Sequence, residues 1–151
     1  MTHIPEDILQ TKNWVCDGFR EGLMDTVLVV DDHPLVRNLL IRSLSAAGYL
    51  VLEAANAAEA VKIASVFEAG IHLMVIDYAL EDGNGVDIAT RIAAIRPAIR
   101  VLVVSGYPEE QVMGSVAGSG NFLFLSKPFS LDILQEKLRQ MSASRPKTAG
   151  T

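Results

Sequence analysis

The feature that most constrains the fold is a short apolar run, residues 71–76, that stops at the carboxylate of Asp77. A strand with almost no polar residue has both faces covered, as in a parallel sheet between two layers of helices. Ligands of such sheets bind beyond the carboxyl ends of the strands, so a charge placed there points to a site. At a single strand end, however, a solvated loop aspartate is the commoner explanation. Whether Asp77 belongs to a site therefore depends on the residues that stand at the ends of the other strands.

Apolar runs alternate with helical patterns along the rest of the chain. The sequence predicts four further strands, at residues 26–30, 49–53, 99–104 and 122–125. A stretch with helical spacing follows each strand, and glycine or proline ends most of these stretches. The fourth helix is predicted to begin at Pro108 and to contain Gly114, Gly118 and Gly120. Each glycine costs up to about 1 kcal/mol relative to alanine, so this helix is predicted to be the least rigid.

The strict alternation predicts an α/β fold with a five-stranded parallel sheet and helices on both faces. Right-handed crossovers leave few topologies, and the doubly wound, flavodoxin-like order 2-1-3-4-5 is the commonest at this length. In that order the first, third, fourth and fifth strands are neighbours. The polar residues at their carboxyl ends are Asp31, Asp32, Asp77, Ser105 and Lys127. The sequence therefore predicts one crevice in which these side chains meet.

The predicted crevice holds the groups needed for phosphoryl transfer. Neighbouring carboxylates raise one another's pKa unless a cation neutralises them, and oxygen ligands favour a hard cation such as Mg²⁺. Lys127 is a point charge suited to a phosphoryl oxygen, and Ser105 supplies a hydroxyl. The set predicts in-line attack of the Asp77 carboxylate on a phosphoryl donor, while Mg²⁺ and Lys127 neutralise the equatorial oxygens.

Residues 26–141 resemble the receiver domain of response regulators in two-component signalling. The resemblance rests on motifs that each follow a predicted strand: Asp31-Asp32, Asp77, Ser105 and Lys127-Pro128-Phe129. None of these motifs is specific for receiver domains by itself, but their occurrence together in this order is strongly specific. The resemblance implies that Asp77 is the phosphoacceptor, that Asp31 and Asp32 hold Mg²⁺ directly or through water, and that the backbone carbonyl of Ala79 completes the metal site.

The resemblance also implies a switch and a set of partners. Ser105 and Phe124 would form the switch pair, and the Lys127–Pro128 bond would be cis. A histidine kinase or a histidine phosphotransfer protein would donate the phosphoryl group. A downstream protein would bind the face made by the fourth helix, the fifth strand and the fifth helix.

Four positions depart from the commonest family pattern. Glu81 replaces a proline, Asn84-Gly85 replaces Asp-Gly, Ser105 is the rarer alternative to threonine, and Phe124 replaces tyrosine. Phe124 has no hydroxyl to donate when it turns inward, which bears on the strength of the switch.

Composition excludes several other classes of protein. The net charge of −5 and the lack of a basic patch argue against binding to nucleic acid. Cys16 is the only cysteine, so neither an internal disulfide nor a cysteine zinc cluster is predicted. The N-terminus lacks the features of a signal peptide, and no apolar run approaches the roughly 20 residues of a membrane span. We therefore expect a cytoplasmic protein.

Several alternatives remain beside the phosphoacceptor interpretation. His33 next to the acidic pair is either a metal ligand or simply the residue that leads into Pro34, and the second is the simpler explanation. A phosphatase of the aspartyl-phosphate class would place its acids one residue apart, whereas Asp31 and Asp32 are adjacent. A receiver-like interaction module that works without phosphorylation is the stronger rival. Since even small domains need about 50 residues, no output domain is expected after Met141, which predicts a stand-alone receiver.

The resemblance does not cover residues 1–25. Four apolar residues there fall on one helical face: Ile8, Val15, Phe19 and Leu23, with Trp14 beside it. This pattern predicts either an ordered arm, which would pack on the receiver or support a homodimer, or a non-native extension. The expected organisation is an extension at 1–25, a receiver at 26–142 and a flexible tail at 143–151.

Overall fold

A computed structural model describes residues 25–144 of the chain. Its seven strands are β1 (Thr26–Val30), β2 (Leu50–Ala54), β3 (Leu73–Asp77), β4 (Ala79–Leu80), β5 (Gly83–Asn84), β6 (Arg100–Ser105) and β7 (Phe122–Ser126). Five of them form a sheet in the order β2-β1-β3-β6-β7, and every neighbouring pair in it is parallel. This is the predicted 2-1-3-4-5 order. The short strands β4 and β5 pair with each other in the loop after β3.

The five α-helices of the described residues are α1 (Pro34–Ala46), α2 (Ala57–Val66), α3 (Gly85–Ile95), α4 (Glu109–Met113) and α5 (Leu131–Ser144); the first four connect strands, and α5 follows the last strand. The predicted extent of the fourth helix is wrong, because α4 ends at Met113 and only a 3₁₀ turn follows at Gly114–Val116. Gly118 then adopts a φ of +87°, which an L side chain rarely adopts and which no α-helix contains. The glycines therefore shorten this helix rather than merely loosening it.

Side chains satisfy the free N–H groups at several helix starts. Asn56 Oδ1 accepts the N–H of Glu59 at 2.8 Å, and Glu59 Oε1 accepts the N–H of Ala55 at 2.9 Å. This arrangement is close to a capping box, although the carboxylate reaches one residue further back. Ser130 Oγ accepts the N–H of Ile133 at 3.1 Å and so caps the start of α5.

The core lies in two layers, one on each face of the sheet. Helices α1 and α5 cover one face through the buried residues Leu40, Leu44, Leu134, Leu138 and Met141. Helices α2, α3 and α4 cover the other face through Ala57, Ala60, Ile63, Ala64, Val86, Ile88, Ala89, Ile92, Val112 and Met113. Because alternate residues of a strand point to opposite faces, the apolar strands feed both layers. The prediction of helices on both faces is confirmed.

The described residues stop before both ends of the chain. The predicted arm lies outside the described residues apart from Asp25, and so do residues 145–151. Helix α5 runs two residues past the predicted domain boundary at 142. Among residues 25–144, no helix combines the length and the apolar character required to cross a bilayer.

Candidate functional site

The carboxyl end of the sheet brings the predicted site residues together. Asp77 and Ser105 are the last residues of the neighbouring strands β3 and β6. Asp31 and Asp32 follow β1, which pairs with β3 on its other side, and Lys127 follows β7. Parallel strands end at the same edge, so residues far apart in sequence meet there.

Both carboxylate oxygens of Asp77 have partners. Lys127 Nζ lies 3.2 Å from Oδ2, and the N–H of Ala79 donates to Oδ1 at 3.2 Å. The Asp77 side chain is 6% exposed, whereas a third of the Lys127 side chain remains accessible. A buried carboxylate next to a partly exposed ammonium group is placed both to act as a nucleophile and to receive a charged phosphoryl group beside a cation.

Asp31 is a buried carboxyl group with too little compensating positive charge. Burial raises its pKa, and the negative charge of Asp77 raises it further. The N–H of His33 donates to Asp31 Oδ1 at 2.8 Å and works in the opposite direction, as does the charge of Lys127. The pKa of Asp31 stays above its ordinary value, so these favourable interactions do not offset the cost of burying the charged form.

The two carboxylate oxygens of Asp32 differ in their hydrogen bonding. Its Oδ2 accepts the N–H of Glu81 at 3.0 Å. Its Oδ1 is buried and receives no hydrogen bond from the part of the chain that the structure describes. Nδ1 of His33 lies 3.3 Å from this oxygen without forming one. Since a buried polar atom is normally satisfied, this oxygen and the acids around it fit a divalent cation.

Ser105 links the ends of two neighbouring strands. Its side chain is buried, and its Oγ accepts the N–H of Tyr107 at 2.9 Å. Its carbonyl oxygen accepts the N–H of Lys127 at 2.8 Å. Phe124 lies one strand away, opposite Val103 in the β6–β7 register, and is half-buried against the core layer that holds α4. The Lys127–Pro128 bond is cis, as the resemblance implies.

Two tyrosines lie at the edge of the site. Tyr78 follows Asp77 directly, and Tyr107 stands two residues after Ser105. Their rings meet edge to face, with centroids 6.0 Å apart and planes at 75°. The two rings therefore bring the segments that follow β3 and β6 into contact beside the site.

The loop after β3 holds the parts of the site that the sequence did not reveal. Asp82 accepts the N–H groups of Ala57 and Ala58 at 2.9 and 3.2 Å, and the first of these bonds lowers its pKa. Since the same loop donates the Glu81 N–H to Asp32, it connects a site carboxylate to the start of α2. Only the polar, glycine-rich composition of the loop hinted at such a role.

Gly85 is the tightest point of this loop. A Cβ atom there would lie 2.3 Å from the carbonyl oxygen of Asp77 and 2.9 Å from Cα of Tyr78. The N–H of Gly85 donates to the carbonyl of Tyr78 at 2.7 Å. The backbone thus passes directly against the end of β3, which only glycine allows.

Sequence comparison places this geometry in a known family. Residues 27–139 match the model of the response regulator receiver domain. The chain is 33% identical over 116 residues to the sensor kinase CckA of Brucella abortus, covering 77% of this chain and 12% of that protein. It is 27% identical over 116 residues to sporulation initiation phosphotransferase F of Bacillus subtilis, covering 77% of this chain and 92% of that protein. The chain therefore spans only a small part of the kinase and most of the phosphotransferase.

Solved structures agree with the sequence comparison. A CheY-like receiver domain protein from Methanospirillum hungatei has a TM-score of 0.70 at 25% identity, covering 81% of this chain and 96% of that one. The response regulator TrrA from Thermotoga maritima, crystallised in complex with Mg²⁺-BeF, has a TM-score of 0.65 at 28% identity, covering 78% and 99%. The family model, the relatives and the solved structures all indicate the same family. The chain belongs to the response regulator receiver family.

Proposed function

We propose that Asp77 accepts a phosphoryl group from a phosphohistidine donor in a Mg²⁺-dependent reaction. The observation that carries this proposal is the pairing of Asp77 Oδ2 with Lys127. Beside it lies the buried Asp32 oxygen that receives no hydrogen bond from residues 25–144. The Asp77 oxygen would attack the phosphorus in line while the phosphorus–nitrogen bond to the donor breaks. Intact-mass measurement after incubation with acetyl phosphate, with and without Mg²⁺, tests it.

The same residues would hold the metal ion. Asp31, Asp32 and Asp77 supply carboxylate oxygens, and the backbone carbonyl of Ala79 would complete the set. When bound, Mg²⁺ supplies positive charge for the phosphoryl oxygens and for the crowded acids. Lys127 neutralises the transferred group from the β7 side, and the Ser105 hydroxyl would donate to it after leaving the Tyr107 N–H.

Replacing Asp32 with Ala is expected to weaken Mg²⁺ binding by about tenfold or more, because the oxygen free to face the ion is lost. Phosphorylation of Asp77 should slow in parallel. Mg²⁺ titration by calorimetry measures the affinity. Asp87→Asn, which removes an exposed carboxylate from α3, is the matched control. Equal Mg²⁺ affinities in wild type and Asp32→Ala would contradict the assignment.

Replacing Asp31 with Asn is expected to stabilise the metal-free protein at neutral pH. Burial raises the pKa of Asp31 above 3.8, so ionisation costs more in the folded chain than in the unfolded chain. That cost is fully present above the folded pKa and disappears as the pH falls through it towards 3.8. The amide oxygen still accepts the His33 N–H.

Urea unfolding in EDTA at several pH values measures this difference. The stability gain of Asp31→Asn should be present at pH 7 and shrink as the solution is acidified. A gain that is independent of pH, or a loss at pH 7, would refute the electrostatic account.

We propose that phosphorylation is signalled to a downstream protein through a change at the switch pair. Phosphorylation draws Ser105 towards the new oxygens and lets Phe124 turn inward. The face that would change is formed by α4, β7 and α5, and a downstream protein would bind there. The short α4 supports this proposal, since it carries few apolar anchors and is the least costly element to move. Hydrogen exchange should therefore change in α4 and β7 on phosphorylation. Changes confined to α2 and α3 would contradict it.

The donor would be a histidine kinase or a histidine phosphotransfer protein in the cytoplasm. The likeness to the phosphotransferase of Bacillus subtilis, which extends over 92% of that protein, supports a stand-alone phosphorelay component. In the alternative form of this proposal, the chain accepts the phosphoryl group as the receiver part of a hybrid kinase. The match to 12% of the length of the Brucella kinase supports that form.

A further inference from the structure

The imidazole of His33 faces the acidic cluster. Its Nδ1 lies 3.3 Å from Asp32 Oδ1 and 3.6 Å from Asp31 Oδ1. The first of these is the buried oxygen that receives no hydrogen bond from the described residues. One ligand atom each from Asp31, Asp32, His33 and Asp77 fits within 4.8 Å of all the others. A nitrogen atom therefore stands among the carboxylate oxygens of the proposed metal site.

The backbone of His33 is held on both sides. Its N–H donates to Asp31 Oδ1 at 2.8 Å, and its carbonyl accepts the N–H of Arg37 at 2.9 Å. His33 is the N-cap residue of α1, yet its side chain makes no capping hydrogen bond. Pro34, at the first helical position, restrains the chain further. With the backbone fixed, the two side-chain torsions alone set the direction of the ring.

The distances suit ligands of one cation. Adjacent atoms bound at about 2.0–2.1 Å lie about 2.8–3.0 Å apart around an octahedral ion and about 3.3–3.4 Å apart around a tetrahedral ion. The separations of 3.3 and 3.6 Å from Nδ1 are close to the tetrahedral spacing and exceed the octahedral one by less than about 1 Å. The His33 side chain is 71% exposed, so water can reach the ring and a cation can enter beside it.

We propose that His33 Nδ1 is a direct ligand of the divalent cation in this site, and that it makes the site prefer Mn²⁺ to Mg²⁺. The inference rests on the proposed function, since it takes the cation to lie beside Asp77. Imidazole nitrogen suits transition-metal ions, whereas Mg²⁺ favours oxygen and retains its waters. Removing the nitrogen should therefore weaken Mn²⁺ binding more than Mg²⁺ binding.

Electron spin-echo envelope modulation of the full chain loaded with Mn²⁺ tests direct ligation. We expect the ¹⁴N modulation of a bound imidazole in the wild type and its loss in His33→Ala. The chain has three histidines. His72→Ala and His3→Ala are the controls and should keep the signal, since Nδ1 of His72 accepts the Thr26 N–H at the opposite end of the sheet.

Titrations of the same proteins supply the second measurement. His33→Ala should lower Mn²⁺ affinity by about tenfold or more, as expected for a lost ligand, and Mg²⁺ affinity by a smaller factor. Bound Mn²⁺ without ¹⁴N modulation in the wild type would overturn the inference, and so would equal losses of affinity for the two ions.

Phosphorylation of the wild type, followed by intact mass with Mg²⁺, separates the two proposals. A normal mass gain combined with no nitrogen ligation overturns the role of His33 and leaves the phosphoacceptor function standing. No mass gain in a protein that binds Mn²⁺ through His33 overturns the function instead. A wild type that binds neither cation contradicts both.

Discussion

Replacing Asp77 with Asn is expected to abolish the gain of about 80 Da that marks transfer of one phosphoryl group. An amide is not a nucleophile at this position, although it fills the same space and keeps an acceptor for the Ala79 N–H. The loss should occur without unfolding. Intact mass after incubation with acetyl phosphate and Mg²⁺ measures it, and circular dichroism checks the fold.

Two controls isolate the role of this carboxylate. Asp87→Asn removes an exposed acid from α3 and should be phosphorylated like the wild type. Wild type in EDTA should show no mass gain, because the crowded acids then lack a cation. An Asp77→Asn protein that is modified at the wild-type rate would mean that another residue is the acceptor.

Replacing Gly85 with Ala is expected to destabilise the fold by about 3 kcal/mol or more and to impair phosphorylation. The new Cβ would lie 2.3 Å from the carbonyl oxygen of Asp77, so backbone must move on one side or the other. Either movement displaces the phosphoacceptor, because that carbonyl belongs to the same residue. Urea unfolding and the rate of phosphorylation measure the two effects.

Gly114→Ala is the matched control for this substitution. Gly114 has helical angles, with φ −54° and ψ −40°, and a Cβ there meets nothing within 4 Å. Alanine should therefore leave the stability unchanged or raise it by about 0.5–1 kcal/mol. If Gly85→Ala and Gly114→Ala proved equally stable, the close approach at the end of β3 would be disproved.

The sequence determined the architecture because the relevant information is local. Each strand is an apolar run, and each helix repeats apolar residues at its own period, so five strand–helix units followed from patterns a few residues long. The handedness of the crossovers then left one preferred sheet order. The site residues were predictable for the same reason, since each stands directly after a strand.

The length of α4 is a failure of local reasoning that has an identifiable cause. The glycines predicted a weak helix, but the point where it ends depends on the balance between several costs of about 1 kcal/mol and the packing of Val112 and Met113 on the sheet. The positive φ of Gly118 commits the chain to a turn. The number of glycines in the sequence therefore does not predict the residue at which α4 ends.

Only the tertiary structure decided how the site atoms are arranged. The N–H of Glu81 donates to one oxygen of Asp32 across a sequence separation of 49 residues. The other oxygen is buried and receives no hydrogen bond from the described part of the chain. The approach of Gly85 to Asp77 and the direction of the His33 ring depend likewise on several packed elements. The sequence names the groups at each strand end, but distances between groups far apart in the chain exist only once the sheet has formed.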